Sequence, residues 1–144
     1  MMIPGRILVI DDVPEEIDKV VDSLRQEGEN VTYTSAVPDD KYLGNVRLLI
    51  TDLYLVENNK EQSYETLASV FDKISKKTAF FVIAIWTKYA RNTEEDKRIL
   101  EDLRKVYKER TGTDLKAAFL NPFGKDISQM ELVSRLKNLV SSRA

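Results

Sequence analysis

Short runs that are almost purely apolar, Arg6 to Ile10, Val46 to Leu53 and Ala79 to Trp86, alternate with longer stretches whose apolar residues recur every three or four positions. A run without polar alternation reads as a strand covered on both faces, and the amphipathic stretches between the runs supply the cover. This restricts the chain to an open, mostly parallel α/β sheet. The first helix is predicted from Pro14, which suits a first turn, through the stripe Ile17, Val20, Val21 and Leu24 to a left-handed stop at Gly28. Val31 to Ala36 reads as a weaker strand and Pro38 to Leu43 as a short helix or turn. After the strand Val46 to Leu53 comes a polar loop, Glu57 to Gln62, and a helix carrying Tyr64, Leu67, Ala68, Phe71 and Ile74.

After Ala79 to Trp86, Thr93 and Asp96 have capping-box spacing ahead of the stripe Ile99, Leu100, Leu103, Val106 and Tyr107, which Gly112 closes. Ala117 to Leu120 makes a fifth strand. Ser128 and Glu131 then cap a last helix that buries Leu132, Val133, Leu136, Leu139 and Val140. Five strands thus alternate with five helices, with no repeat, low-complexity segment or linker, and residues 1–144 are expected to form a single doubly wound α/β domain.

Composition narrows the function. The chain has no cysteine, so thiolate zinc sites and disulfides are excluded, and no histidine, so histidine bases, ligands and phosphodonors are excluded as well. A net charge of −2 argues against a nucleic-acid surface, which needs concentrated basic charge. The charged run Arg91 to Arg110 is the wet face of a helix. The longest apolar run is too short to span a bilayer and the N-terminus shows no signal-peptide pattern, so a cytoplasmic location without membrane association is expected. The five glycines are scattered and form no nucleotide-binding loop.

The acidic residues at the strand ends carry the chemistry. Asp11 and Asp12 close the first run and Asp52 closes Leu48-Leu49-Ile50-Thr51. Alone, each reads as a helix cap or turn residue. On neighbouring parallel strands they converge where open α/β sheets bind ligands. Two unit charges about 4 Å apart interact by roughly 4 kcal/mol at an effective dielectric near 20, so such a cluster needs a cation or a proton.

The order Ile-Leu-Val-Ile-Asp11-Asp12, Leu-Leu-Ile-Thr-Asp52, a strand ending in Thr87, and Asn121-Pro122-Phe123-Gly124 resembles the receiver domains of two-component response regulators over nearly the whole chain. The resemblance implies a flavodoxin-like sheet of strand order 2-1-3-4-5. It also implies that Asp52 accepts a phosphoryl group from a phosphohistidine or a small acyl phosphate. Mg²⁺ would be held by Asp12, Asp52 and the Tyr54 backbone carbonyl, and through water by Asp11. Thr87 would donate its hydroxyl to the phosphoryl group and so switch the face of the fourth helix and fifth strand. The implied partners are a histidine kinase or phosphotransfer protein and a downstream effector, with a two-fold homodimer as one outcome of exposing that face. Such a domain is not an enzyme beyond self-catalysed phosphoryl transfer and hydrolysis.

Several positions depart from the family. Asn121 stands where receivers carry a lysine, so a positive charge is expected to be missing from the site. Lys88 follows Thr87 where a small residue is usual, and it either obstructs the pocket or supplies the missing ammonium. Ala118 takes the place of the aromatic switch, with Phe119 one position out of phase, and the helix after Thr87 is longer than usual. These departures support a second reading, a pseudo-receiver that binds partners without being phosphorylated. A haloacid-dehalogenase-like hydrolase fits poorly, because Tyr54 replaces the second aspartate expected two residues after the nucleophile.

Overall fold

The computed structural model describes residues 5–56, 59–87, 93–125 and 127–141. Its strands are β1 (Arg6–Ile10), β2 (Asn30–Thr34), β3 (Val46–Asp52), β4 (Phe81–Thr87), β5 (Ala117–Phe119) and β6 (Phe123–Gly124). Its α-helices are α1 (Asp18–Gln26), α2 (Lys60–Ser75), α3 (Thr93–Thr111) and α4 (Gln129–Ser141). The strands are parallel in the order β2-β1-β3-β4-β5, and β6 pairs with β4 beyond the end of β5. The doubly wound sheet anticipated from the alternation is therefore observed, in the flavodoxin-like strand order that the resemblance implies.

Alternate residues of the buried strands feed two cores, as the twofold side-chain period requires. Leu8, Ile10, Leu49, Ile83 and Ile85 pack with Leu67 and Phe71 of α2 and Leu103 and Tyr107 of α3. Ile7, Val9, Leu48, Ile50, Ala84 and Trp86 pack on the other side with Val20 and Leu24 of α1 and Leu132 and Leu136 of α4. Trp86, expected in the core, is buried there. Both glycine stops act as anticipated, Gly28 at φ 85° and Gly112 at φ 78°. Ser128 caps α4 by accepting the Glu131 N–H at 3.1 Å. The side chains of Thr93, Leu139 and Val140, expected in a cap and in the core, lie outside the described residues. No helix among the described residues is long and apolar enough to cross a membrane.

Three details differ from the sequence expectation. The helix predicted from Pro14 is split into a 3-10 turn, Pro14–Glu16, and α1, because Ile17 leaves helical geometry at φ −136° and buries its side chain. The segment 38–43, read as a short helix or turn, is a single 3-10 turn, Asp40–Tyr42, as expected, because that connection buries a single anchor, Leu43, instead of a stripe. Four α-helices are therefore described where five helices were expected. Lastly, β6 was not anticipated, since a two-residue strand carries no periodicity.

The two cores fix the strand ends that carry the acidic residues. Phe71 is fully buried and meets Phe119 edge-on at 6.0 Å between ring centroids. Phe71→Ala is expected to lower the unfolding free energy by roughly 3–5 kcal/mol, read as a lower urea midpoint at unchanged m. A loss below about 1 kcal/mol would contradict this packing.

Candidate functional site

Pairing of β1 with β3 sets Ile10 beside Thr51, so the next residues, Asp11 and Asp52, leave adjacent strands at the same level. Asp11, Asp12 and Asp52 each offer a carboxylate oxygen, and these oxygens lie within 4.8 Å of one another. Asp11 is buried, Asp52 is half-buried and Asp12 is exposed, so the cup has a closed floor and one open side. Its backbone is tied down. The Asp11 N–H donates to the Thr34 carbonyl at 3.2 Å, and the Tyr33 hydroxyl donates to the Asp11 carbonyl at 2.7 Å. The Asp11 carboxylate in turn accepts the Val13 N–H at 2.9 Å, and the Tyr54 N–H donates to the Asp52 carboxylate.

A lysine that sequence reasoning missed completes the group. The Lys125 ammonium lies 3.3 Å from Asp52, 3.4 Å from Asp11 and 2.9 Å from Glu16. The positive charge expected to be missing is therefore present, supplied from a position four residues after Asn121. The cause is β6. Phe123 and Gly124 pair with Trp86 and Thr87, and the Lys125 N–H donates to the Thr87 carbonyl at 3.1 Å, which carries the side chain back over the end of β3. Phe123 and Lys125 have the two-residue spacing of one strand face, a signal legible only once residues 123–124 are known to be extended. Glu16 was likewise not singled out, because it reaches the site from the turn preceding α1.

The other predicted site residues are distributed around this group. Thr87 is buried at the end of β4, one position beyond Trp86, the register partner of Asp52. Asn121 is exposed on the connection between β5 and β6, and Lys88 lies outside the described residues. Ala118 is half-buried, whereas Phe119 packs with the core on the α2 and α3 side, where the Arg104 guanidinium lies 4.9 Å from its ring centroid. The two side chains thus take opposite faces, as the alternation of a strand demands.

Burial and charge act against each other here. Burial pushes the Asp11 carboxyl up to about 6, against the Val13 N–H and Lys125, which favour its ionised form, while the Asp52 charge adds to the rise. Burial also raises Asp52, with Lys125 opposing. Burial disfavours the Lys125 charge, but the hydrogen bond to Glu16 and the charges of Asp52 and Asp11 outweigh it, and the ammonium is held above its ordinary range. Three clustered carboxylates are the donor set of a hard divalent ion such as Mg²⁺, which takes few protein oxygens and keeps several waters. The residues present fit that ion.

No protein-family model matches the sequence, and no curated protein matches it either. Solved structures do match. The non-phosphorylated HemR receiver domain from Leptospira biflexa has a TM-score of 0.61 at 21% identity, over 95% of this chain and 94% of its own. A response regulator from Thermotoga maritima has a TM-score of 0.61 at 15% identity, over 96% of this chain and 99% of its own. The fold is that of response regulator receiver domains. A response regulator from Burkholderia pseudomallei, solved with a phosphorylated aspartic acid, calcium ion and citrate, has a TM-score of 0.58 at 15% identity and matches over 97% of this chain and 73% of its own.

A carboxyl whose proton is held more tightly in the folded state stabilises the fold at low pH, and that contribution is lost as pH rises through its folded value. In metal-free buffer the protein is therefore expected to lose stability relative to Asp11→Asn as pH rises from about 4 through 6. Urea midpoints of the pair across that range check this. A constant difference would show that Asp11 ionises in the fold as it does in the unfolded chain.

Proposed function

We propose that this domain is a phospho-acceptor switch, in which Asp52 takes a phosphoryl group beside a Mg²⁺ ion held by the acidic cup. The observation that carries the reading is the convergence of Asp11, Asp12 and Asp52 at the carboxyl ends of adjacent strands in a receiver fold. The phosphorylated aspartic acid and calcium ion of the Burkholderia pseudomallei relative support the same chemistry.

An Asp52 oxygen attacks phosphorus in line. A new O–P bond forms as the P–N bond of a phosphohistidine or the P–O bond of an acyl phosphate breaks, and the departing group keeps the electron pair. The Tyr54 N–H holds the attacking carboxylate in position. Mg²⁺, when bound, spreads the charge of the transferring group. Asp12, Asp52 and the Tyr54 carbonyl would ligate it directly, with Asp11 reaching it through water. The Thr87 hydroxyl donates to the acquired phosphoryl group, and that contact alters the surface of α3 and β5. A histidine kinase or phosphotransfer protein in the cytoplasm supplies the phosphate, and an effector, or a second copy of the chain, reads the altered surface. The domain has no turnover of its own beyond accepting and losing that phosphate.

One observation favours the pseudo-receiver reading: Lys125 bridges Asp11 and Asp52 and so competes for two of the three carboxylates that the ion would need. Incubation with acetyl phosphate and Mg²⁺, followed by intact-mass measurement, separates the two. A single added phosphoryl mass is expected, absent in Asp52→Asn and absent when EDTA replaces Mg²⁺. Addition that persists in Asp52→Asn would move the acceptor elsewhere, and no addition to the parent would favour the pseudo-receiver.

A further inference from the structure

Lys125 occupies a contested place. Its ammonium touches Asp11 and Asp52, two of the three carboxylates that form the cation cup, and its shortest contact, 2.9 Å, is to Glu16, which lies outside that group. A divalent ion entering the cup would sit within a few ångströms of the ammonium and repel it, with twice the force of a unit charge at the same distance. The Lys125 backbone is tied to the end of β4, because its N–H donates to the Thr87 carbonyl at 3.1 Å. The flexible side chain can retreat. Glu16 is half-exposed and already in contact, so it offers the ammonium a partner that the ion does not claim.

We propose that Lys125 is an internal cation that competes with the divalent ion for Asp11 and Asp52, and that Glu16 is the mooring to which its ammonium withdraws when the ion enters. Without the ion, the ammonium offsets the charge of Asp11 and Asp52. With the ion bound, the ammonium leaves Asp11 and stays on Glu16 at the edge of Asp52, facing the position a phosphoryl group on Asp52 would occupy. Lys125 thus becomes the cation that the exposed Asn121 cannot supply, and Glu16 is its positioning residue. This rests on the phospho-acceptor reading of the same cup.

The test is a double-mutant cycle read by Mg²⁺ titration of backbone amides, with beryllofluoride capture as the second readout, in the parent, Lys125→Met, Glu16→Gln and the double variant. Lys125→Met is expected to tighten Mg²⁺ binding by roughly tenfold while weakening beryllofluoride capture by a similar factor, the scale of one partly screened charge pair. A residue that merely fills space would not move the two in opposite directions. Glu16→Gln is expected to weaken Mg²⁺ binding severalfold in the parent and to have no effect in the Lys125→Met background. Asn121→Lys is expected to restore beryllofluoride capture to Lys125→Met. Where Lys125→Met does not fold, Lys125→Gln, which retains a polar head, takes its place.

Unchanged or weaker Mg²⁺ binding in the Lys125 variant, with a parent that binds both ligands, overturns the competition and leaves the proposed function standing. A Glu16→Gln effect that survives without Lys125 makes Glu16 a direct ligand of the ion and overturns the mooring. A parent that binds neither Mg²⁺ nor beryllofluoride overturns this inference and the proposed function together.

Discussion

Repulsion among carboxylates held at the ends of two hydrogen-bonded strands is the constraint to which the rest of this structure answers. The register of β1 on β3 leaves Asp11 and Asp52 no freedom to separate, and burial removes much of the water that would screen them. Each neighbouring feature lowers that cost. The Val13 and Tyr54 amides donate to the carboxylates, Asp12 stays in solvent, and Lys125 spans Asp11 and Asp52. A partly buried group of this kind is expensive to leave half-compensated, and removing one member exposes the others to the full penalty.

The sheet makes the arrangement rigid enough to matter. Two cores clamp β1, β3 and β4 from both faces, so the strand ends behave as fixed posts while the connections beyond them differ in how firmly they are tied. After β3, the Ser63 hydroxyl accepts the Val56 N–H and donates to the Val56 carbonyl, and Asn59 caps α2 by accepting the Gln62 N–H at 2.9 Å. On the other side, β6 anchors Lys125 to β4 through two register pairs and one further backbone hydrogen bond. Charge entering the cup therefore acts on side chains first, and Lys125 and Glu16 are those best placed to respond.

Much of the fold was legible because burial on both faces leaves an unmistakable mark. Ile7 to Ile10 and Leu48 to Thr51 carry the apolar run of central strands, and the acidic residues closing them point to the cup. What escaped notice depended on pairing instead of pattern. Lys125 follows Asn-Pro-Phe-Gly, a sequence that reads as a turn, and nothing local reveals that Phe123 and Gly124 extend against Trp86 and Thr87. The same limit explains Glu16, which looks like an ordinary acidic residue in a first helical turn until Ile17 breaks the helix. The charge deficit argued from Asn121 was thus a sound inference about one position and a misleading one about the site, because long-range pairing replaced the missing group from elsewhere in the chain.

The central claim is that residues 11, 12 and 52 form one seat for a divalent ion, and paramagnetic Mn²⁺ in place of Mg²⁺ tests it most directly, since both prefer hard oxygen ligands. At substoichiometric Mn²⁺, amide resonances of residues 10–13, 52–54 and 124–125 should broaden before any others, and excess Mg²⁺ should restore them. Broadening that instead follows the exposed acidic residues of α3, such as Glu94 and Glu101, while the strand ends remain sharp, would contradict the account.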